Sequence, residues 1–156
     1  MFEPRDLDAV LELAVAAWQP IFASSKDIVG EELFDLVYSN PDERKRERIT
    51  EASDPDDPRE IWIAELDGKL AGFLILHMYP DRKVAEIGNN AVIPEFQGRG
   101  IGSEMYSFAL QRMRDSGMKA AVVTTGGDDA HAPARRAYEK AGFSGAVPSV
   151  EYHIKL

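Results

Sequence analysis

Gln97-Gly98-Arg99-Gly100-Ile101-Gly102 joins the end of an apolar run, Ala91-Val92-Ile93, to a helical pattern carried by Ile101, Met105, Ala109 and Met113. Glycines at three alternate positions remove Cβ atoms, so successive backbone N–H groups can converge on an anion. The helix that follows aims its positive dipole end at the same place. Such a turn suits a phosphate or a pyrophosphate. It is not G-x-x-x-x-G-K-[ST], so it is not a Walker-type nucleotide loop. Its third glycine arrives one residue early for G-x-G-x-x-G, which speaks against a dinucleotide-binding βα turn. Taken alone, the six residues also read as a glycine-rich turn that holds nothing.

Outward from the loop, the period of the pattern changes twice. Upstream, Ile61 and Ile63 alternate, Asp67-Gly68 is a hairpin turn, Leu70–Met78 reads as the return strand, and Val84–Ile93 as a third strand. Downstream, Gly117 stops the helix, Ala120–Thr125 reads as a short buried strand, and Ala134–Ala141 as another helix stopped by Gly142. Alternation at Val150, Tyr152 and Ile154 predicts a last strand. Before Glu60 the spacing of Leu7, Val10, Leu11, Ala14 and Trp18 is helical, and Pro20 is expected to close that helix. Gly30 precedes a second helix with Leu33, Phe34 and Val37. Asn40-Pro41 opens a third, which offers only Ile49 and Ala52 to a core. The pattern predicts a mixed α/β fold in one domain, residues 1–156, with helices over 1–59 and the sheet over 60–156.

Two blocks in this order and spacing resemble the GCN5-related N-acetyltransferase (GNAT) family. Gln97–Gly102 is similar to its Q/R-x-x-G-x-G/A acyl-CoA pyrophosphate loop, with Ala91–Phe96 similar to the end of its fourth strand. Ala134-Arg135-Arg136-Ala137-Tyr138-Glu139-Lys140-Ala141-Gly142-Phe143 is similar to its A-R-x-x-Y-E-K-x-G-F block. The resemblance covers residues 60–156. It implies a splayed sheet flanked by helices, whose fourth and fifth strands part for the CoA arm, and a bulge in the fourth strand. It further implies that the backbone of Ala91, Val92 and Ile93 pairs with the pantetheine amides, and that Gln97, Gly98, Arg99, Gly100, Ile101 and Gly102 hold the pyrophosphate. Tyr138 is implied as the acid that protonates the leaving thiolate, since a phenol with a pKa of ~10 keeps its proton at neutral pH. His131 stands where many members carry an asparagine that binds the CoA arm. Glu86, eleven residues before Gln97, resembles the base of histone-type members. In an unbulged strand it shares a face with Gly88, Asn90 and Val92. The implied reaction is transfer of an acetyl group from acetyl-CoA to a primary amine by direct attack in a ternary complex. The alternative is a non-catalytic acyl-CoA-binding regulator on the same fold.

Composition narrows the partners. The chain of 156 residues has no cysteine, so no thiol can serve as nucleophile, metal ligand or covalent acyl carrier. His77, His131 and His153 show no metal-ligand spacing, and no metal is expected. The start lacks the pattern of a signal peptide, and no uninterrupted apolar run suits a membrane span, so a cytoplasmic protein away from membranes is expected. The net charge of −9 lies wholly in residues 1–60, with sixteen acids against seven basic residues, while residues 61–156 carry eleven of each. That field repels nucleic acid and suits a cationic acceptor, with Glu31, Glu32 and Asp35 as its contributors. The strand-like end at Val150–Leu156 suggests an edge that a second copy covers, hence a homodimer.

Overall fold

The computed structural model describes residues 1–156 as one mixed α/β unit. Helices α1 (Leu7–Val29), α2 (Glu31–Val37) and α3 (Pro41–Ala52) come first, followed by strands β1 (Arg59–Leu66), β2 (Lys69–Tyr79) and β3 (Val84–Val92). Helix α4 (Ile101–Asp115), strand β4 (Ala120–Val123) and helix α5 (Ala132–Lys140) complete it. The sheet has the order β1-β2-β3-β4. Its first three strands are antiparallel and β4 lies parallel to β3, so β3–α4–β4 is a βαβ unit. Asp67 and Gly68 both take positive φ in the β1–β2 turn, which selects the residue types found there.

Alternation in β2 builds a core on each face of the sheet. Phe73 and Ile75 point to one face and meet Val10, Leu13 and Ala14 of α1 with Ile49 and Ala52 of α3. Leu74 and Leu76 point to the other and meet Met105, Ala109 and Met113 of α4 and Tyr138 of α5. Each large side chain so buried contributes about 1.5–3 kcal/mol of transfer free energy. Gly72 lets α4 come down on the sheet, because a Cβ there would stand 2.7 Å from the Ala91 carbonyl oxygen and 2.9 Å from Met105 Sδ.

Two expectations from the sequence are corrected. Pro20 does not close the first helix. α1 runs through it to Val29, and its distal half is tied to the turn before α5 by Ser24 on Asp128. Pro20 forgoes one helix hydrogen bond without ending the helix. The same helix, taken from Pro4 to Val29, is long and apolar enough by length and composition to cross a membrane, a match that counting uninterrupted runs misses because Asp8 and Glu12 break the run. In the fold its Val10, Leu13 and Ala14 pack in the core. Finally, no strand forms after Phe143. The tail turns toward α2, where the Tyr38 hydroxyl lies 3.1 Å from His153 Nε2, and Val150, Tyr152 and Ile154 are left exposed.

Candidate active site

The sheet opens at one point. β4 pairs with β3 only from Val84–Ala120 to Ile87–Val123 and then ends, while β3 continues to Val92. Backbone groups of Gly88 to Val92 on that side therefore face no strand. Across the other edge Leu74 pairs with Asn90 and Leu76 with Ile87, so Gly88 and Asn89 together oppose Ile75. That extra residue is a β-bulge in β3 at the mouth of the fork.

The bulge swaps the faces of the strand. Glu86 pairs opposite His77 on the α1/α3 face, whereas Asn90, four residues on, points to the α4/α5 face. The sequence expectation that Glu86 shares a face with Asn90 and Val92 fails for this reason, since one inserted residue inverts a period of two. Ala91 and Ile93 pack with the α1/α3 core and Val92 with the α4/α5 core. The Glu86 carboxylate accepts a hydrogen bond from the Tyr79 hydroxyl at 3.1 Å.

After β3, Pro94–Phe96 forms one 3₁₀ turn, and Gln97 Nε2 ties the loop back by donating to the Val92 carbonyl at 3.1 Å. Gly98 and Gly100 sit at φ +75° and +88°, a conformation other residues adopt at a cost of ~1–2 kcal/mol. Gly100 caps α4 without any side-chain hydrogen bond, so the first N–H groups of that helix have no internal acceptor. No atom lies within 4 Å of where a Cβ would stand on Gly98 or Gly100, and the Arg99 guanidinium lies 5.5 Å from the Phe96 ring centroid. An open turn of free N–H groups beside an arginine fits a pyrophosphate. From there a groove of about 300 Å³ runs between α4 and α5, lined by Ser103, Ser107, Arg114 and Lys140.

Tyr138 comes to the fork from α5 and is buried to 7% exposure. Its oxygen accepts from Asn90 Nδ2 at 3.1 Å, which leaves the phenolic proton free to be donated. Asn90 also donates to the Gly88 carbonyl at 2.9 Å and accepts from the Tyr106 hydroxyl at 2.8 Å. Burial, reinforced by Tyr138, pushes the Tyr106 phenol far above its ordinary pKa, so Tyr106 keeps the proton that it donates to Asn90. Asn90 and Tyr106, neither of them among the expected site residues, thus fix the acid candidate on the bulge.

His131 opens α5 two turns before Tyr138. Its Nδ1 is engaged by Asp128, whose other oxygen accepts from Ser24 of α1 at 2.7 Å. Arg135 clamps the Gly126 and Asp128 carbonyls at 2.7 and 2.6 Å. Burial alone would raise the Asp128 pKa, but the hydrogen bonds from Ser24 and His131 outweigh it and hold it below the ordinary range. Nδ1 being occupied, His131 presents Nε2 to any ligand. Beside this array, Ser24, Asp27, Asp128 and Asp129 line an open cavity of about 690 Å³ between α1 and the turn before α5.

The acids expected to greet an acceptor are elsewhere engaged. Lys26 pairs with Glu31 at 2.8 Å and Asp35 at 3.6 Å, and Lys155 pairs with Glu32. Sequence reasoning also missed Lys45. It sits among the charges of α3, yet is buried to 8% exposure. Its Nζ donates to Asn89 Oδ1 at 2.9 Å and lies 3.7 Å from the Trp18 ring centroid.

A model of the acetyltransferase (GNAT) family matches residues 25–143. A mycothiol acetyltransferase of Stackebrandtia nassauensis is 32% identical, the match covering 97% of this chain and 45% of that protein. A mycothiol acetyltransferase of Thermomonospora curvata is 34% identical over 62% of this chain and 31% of its own length. The chain thus spans less than half of these relatives. Among solved structures, the PaiA N-acetyltransferase of Thermoplasma acidophilum, in complex with coenzyme A, shares the fold with a TM-score of 0.69 at 21% identity, over 92% of this chain and 86% of that one.

Proposed function

The chain belongs to the acetyltransferase (GNAT) family, and on that premise we propose that it transfers an acetyl group from acetyl-CoA to a primary amine by direct attack in a ternary complex. The observation that carries the proposal is the fork itself: β3 outruns β4, bulges at Gly88–Asn89, and leads into an uncapped glycine turn at the start of α4. Acetyl-CoA would supply the activated thioester. Free backbone groups of Ala91, Val92 and Ile93 would pair with the pantetheine amides as a strand does, and the N–H groups of Gly98 to Gly102 would hold the pyrophosphate. Arg114 and Lys140, in the groove beyond Ser103 and Ser107, would face the adenosine end with its phosphate.

Tyr138 gives its proton to the departing thiolate, and Asn90 keeps the phenolic oxygen in place for it. His131 Nε2 binds the CoA arm, its ring set by Asp128. Glu86 stands on the opposite face, toward α1 and α3, where it receives the proton of the incoming ammonium directly or through water. The rest of the rate comes from holding amine and thioester together and from the polarising N–H groups of the bulged strand.

The mycothiol acetyltransferases it resembles are more than twice as long as the region shared with this chain, so the acceptor is argued from this chain's own charges. Those charges favour a cationic amine, drawn by the acidic excess of residues 1–60 and received beside Asp27 and Asp129. The reaction is placed in the cytoplasm, away from membrane and nucleic acid. Pairing with a second copy that covers the exposed apolar side chains of Val150, Tyr152 and Ile154 is part of the same reading, and a sedimentation mass of one chain at micromolar concentration would refute that part. Calorimetry with CoA, followed by thiol release from acetyl-CoA over a panel of amines, tests the whole. Binding without any amine-dependent release would favour a non-catalytic acyl-CoA sensor.

A further inference from the structure

Lys45 is the only charged side chain the fold buries. From α1 its Nζ meets the Trp18 ring, from β3 the Asn89 amide oxygen, and on α3 itself the charge acting on it is Arg48, of the same sign. No carboxylate compensates it. An ammonium buried in this way is expensive to keep, and a neutral amine is not. Asn89, which holds it, is a bulge residue at the mouth of the fork, on the face where an acceptor amine would arrive.

We propose that Lys45 Nζ is itself an acetyl acceptor of this site: with no other amine bound, it attacks the thioester held along β3 and the chain acetylates itself. The inference rests on the acetyl-CoA reading above. In the step a bond forms between Nζ and the acetyl carbonyl carbon, and the carbon–sulfur bond breaks. The thiolate leaves with the electron pair and takes up one proton, and Nζ loses one. The products are an N-acetyl-lysine and free CoA thiol, with no further reactant. Burial, with Arg48 adding to it, lowers the Lys45 pKa to about 8, so roughly a tenth of it is neutral and nucleophilic at pH 7. An exposed lysine at the ordinary value of ~10.4 is neutral in fewer than about one molecule in a thousand. Acetylation would remove the uncompensated charge while keeping one N–H for Asn89. The modified side chain would stand on the acceptor side of the fork and slow the transfer to other amines.

The full chain is incubated with acetyl-CoA and no amine, and its peptides are read by mass spectrometry. One acetyl group is expected on Lys45, with one thiol released per chain, at a rate that rises with pH up to about 8 and then levels. Excess CoA and the Gly100→Asp change should both abolish it, and Lys45→Arg should remove the label without moving it elsewhere. Label spread over the exposed Lys69, Lys83 and Lys119, indifferent to Gly100→Asp, would mean reaction in free solution and overturns the proposal. Lys45 left unmodified while calorimetry shows acetyl-CoA bound overturns it alone. Absence of any acetyl-CoA binding fells the reading of the site together with it.

Discussion

Asn90 on β3 and Tyr138 on α5 are hydrogen-bonded at 3.1 Å across the open end of the sheet, forty-eight residues apart in the chain. The amide is the donor, so the tyrosine's own proton is uncommitted at the spot where β3 loses its partner strand. A group that both holds still and keeps a donatable proton is what a leaving thiolate requires.

Tyr138→Phe removes that proton and keeps the ring against Tyr106, whose centroid is 5.1 Å away. Because general acids contribute typically ~10²–10⁴-fold, turnover should fall at least about tenfold with CoA affinity unchanged. Single-turnover thiol release measures the chemical step. Near-full activity in that assay would mean that solvent, not Tyr138, protonates the thiolate.

The glycine turn separates conformational from electrostatic demands. Gly100 has φ +88°, whereas Gly102 lies inside α4 and a Cβ there would only touch Val92 Cγ2 at 3.9 Å. Gly102→Ala should therefore fold normally and bind CoA nearly as well. Gly100→Ala should lose ~1–2 kcal/mol of stability from its backbone alone. Gly100→Asp adds a negative charge beside the proposed pyrophosphate site, and calorimetry should show CoA affinity down at least about tenfold. Unchanged affinity in a folded Gly100→Asp protein would place the pyrophosphate elsewhere.

How far the sequence could be read depended on the range over which each feature is encoded. The Gln97–Gly102 turn and the helix expected over Ala134–Ala141 are local, and their spacing announces both elements within a residue or two, the helix running over Ala132–Lys140. The bulge at Gly88–Asn89 leaves no mark in a pattern of period two, and it decides that Glu86 and Asn90 face opposite sides. Lys45 was hidden because a lysine among Arg44, Arg46 and Arg48 reads as a solvated face, and only the approach of Trp18 and Asn89 buries it. The Ser24–Asp128 bond joins residues 104 apart and has no sequence signature. The tail shows the converse: alternation at Val150, Tyr152 and Ile154 makes a strand only where an edge is offered, and none is paired with it here.

Lys45 also predicts a pH dependence of stability. Its proton is held less tightly in the folded chain, at about 8, than in the unfolded chain, at 10.5. Between these values the unfolded chain binds more protons, so raising the pH favours folding. The penalty is in full force below pH 8 and fades toward pH 10.5. Lys45→Met keeps a flexible chain against Trp18 and removes the titration. Relative to that variant, the parent should gain on the order of 1–3 kcal/mol between pH 7 and 10. Denaturant titrations of both at the two pH values give the number, and parallel behaviour would show that Lys45 is solvated after all.

Charge placement makes the last expectation about the acceptor. The acids of α2 are not free to steer: Glu31 and Asp35 share Lys26, and Glu32 holds Lys155. Asp27 and Asp129 line the cavity beside His131 and pair with no cation, so a protonated amine would meet them first. Steering by such a field weakens with salt, because the screening length falls from ~10 Å at 0.1 M to ~3 Å at 1 M. For the best amine of a panel, kcat/KM should therefore drop as ionic strength rises while the CoA dissociation constant follows its own, separate dependence. Asp27→Asn should flatten that salt dependence and lower kcat/KM at low salt with kcat nearly unchanged. Glu31→Gln should do neither, since Lys26 already neutralises Glu31 and would only be released toward Asp35. Equal effects of the two changes would mean that the acidic half acts through its total charge and not through this cavity. A preference for neutral or anionic amines would end the steering argument altogether.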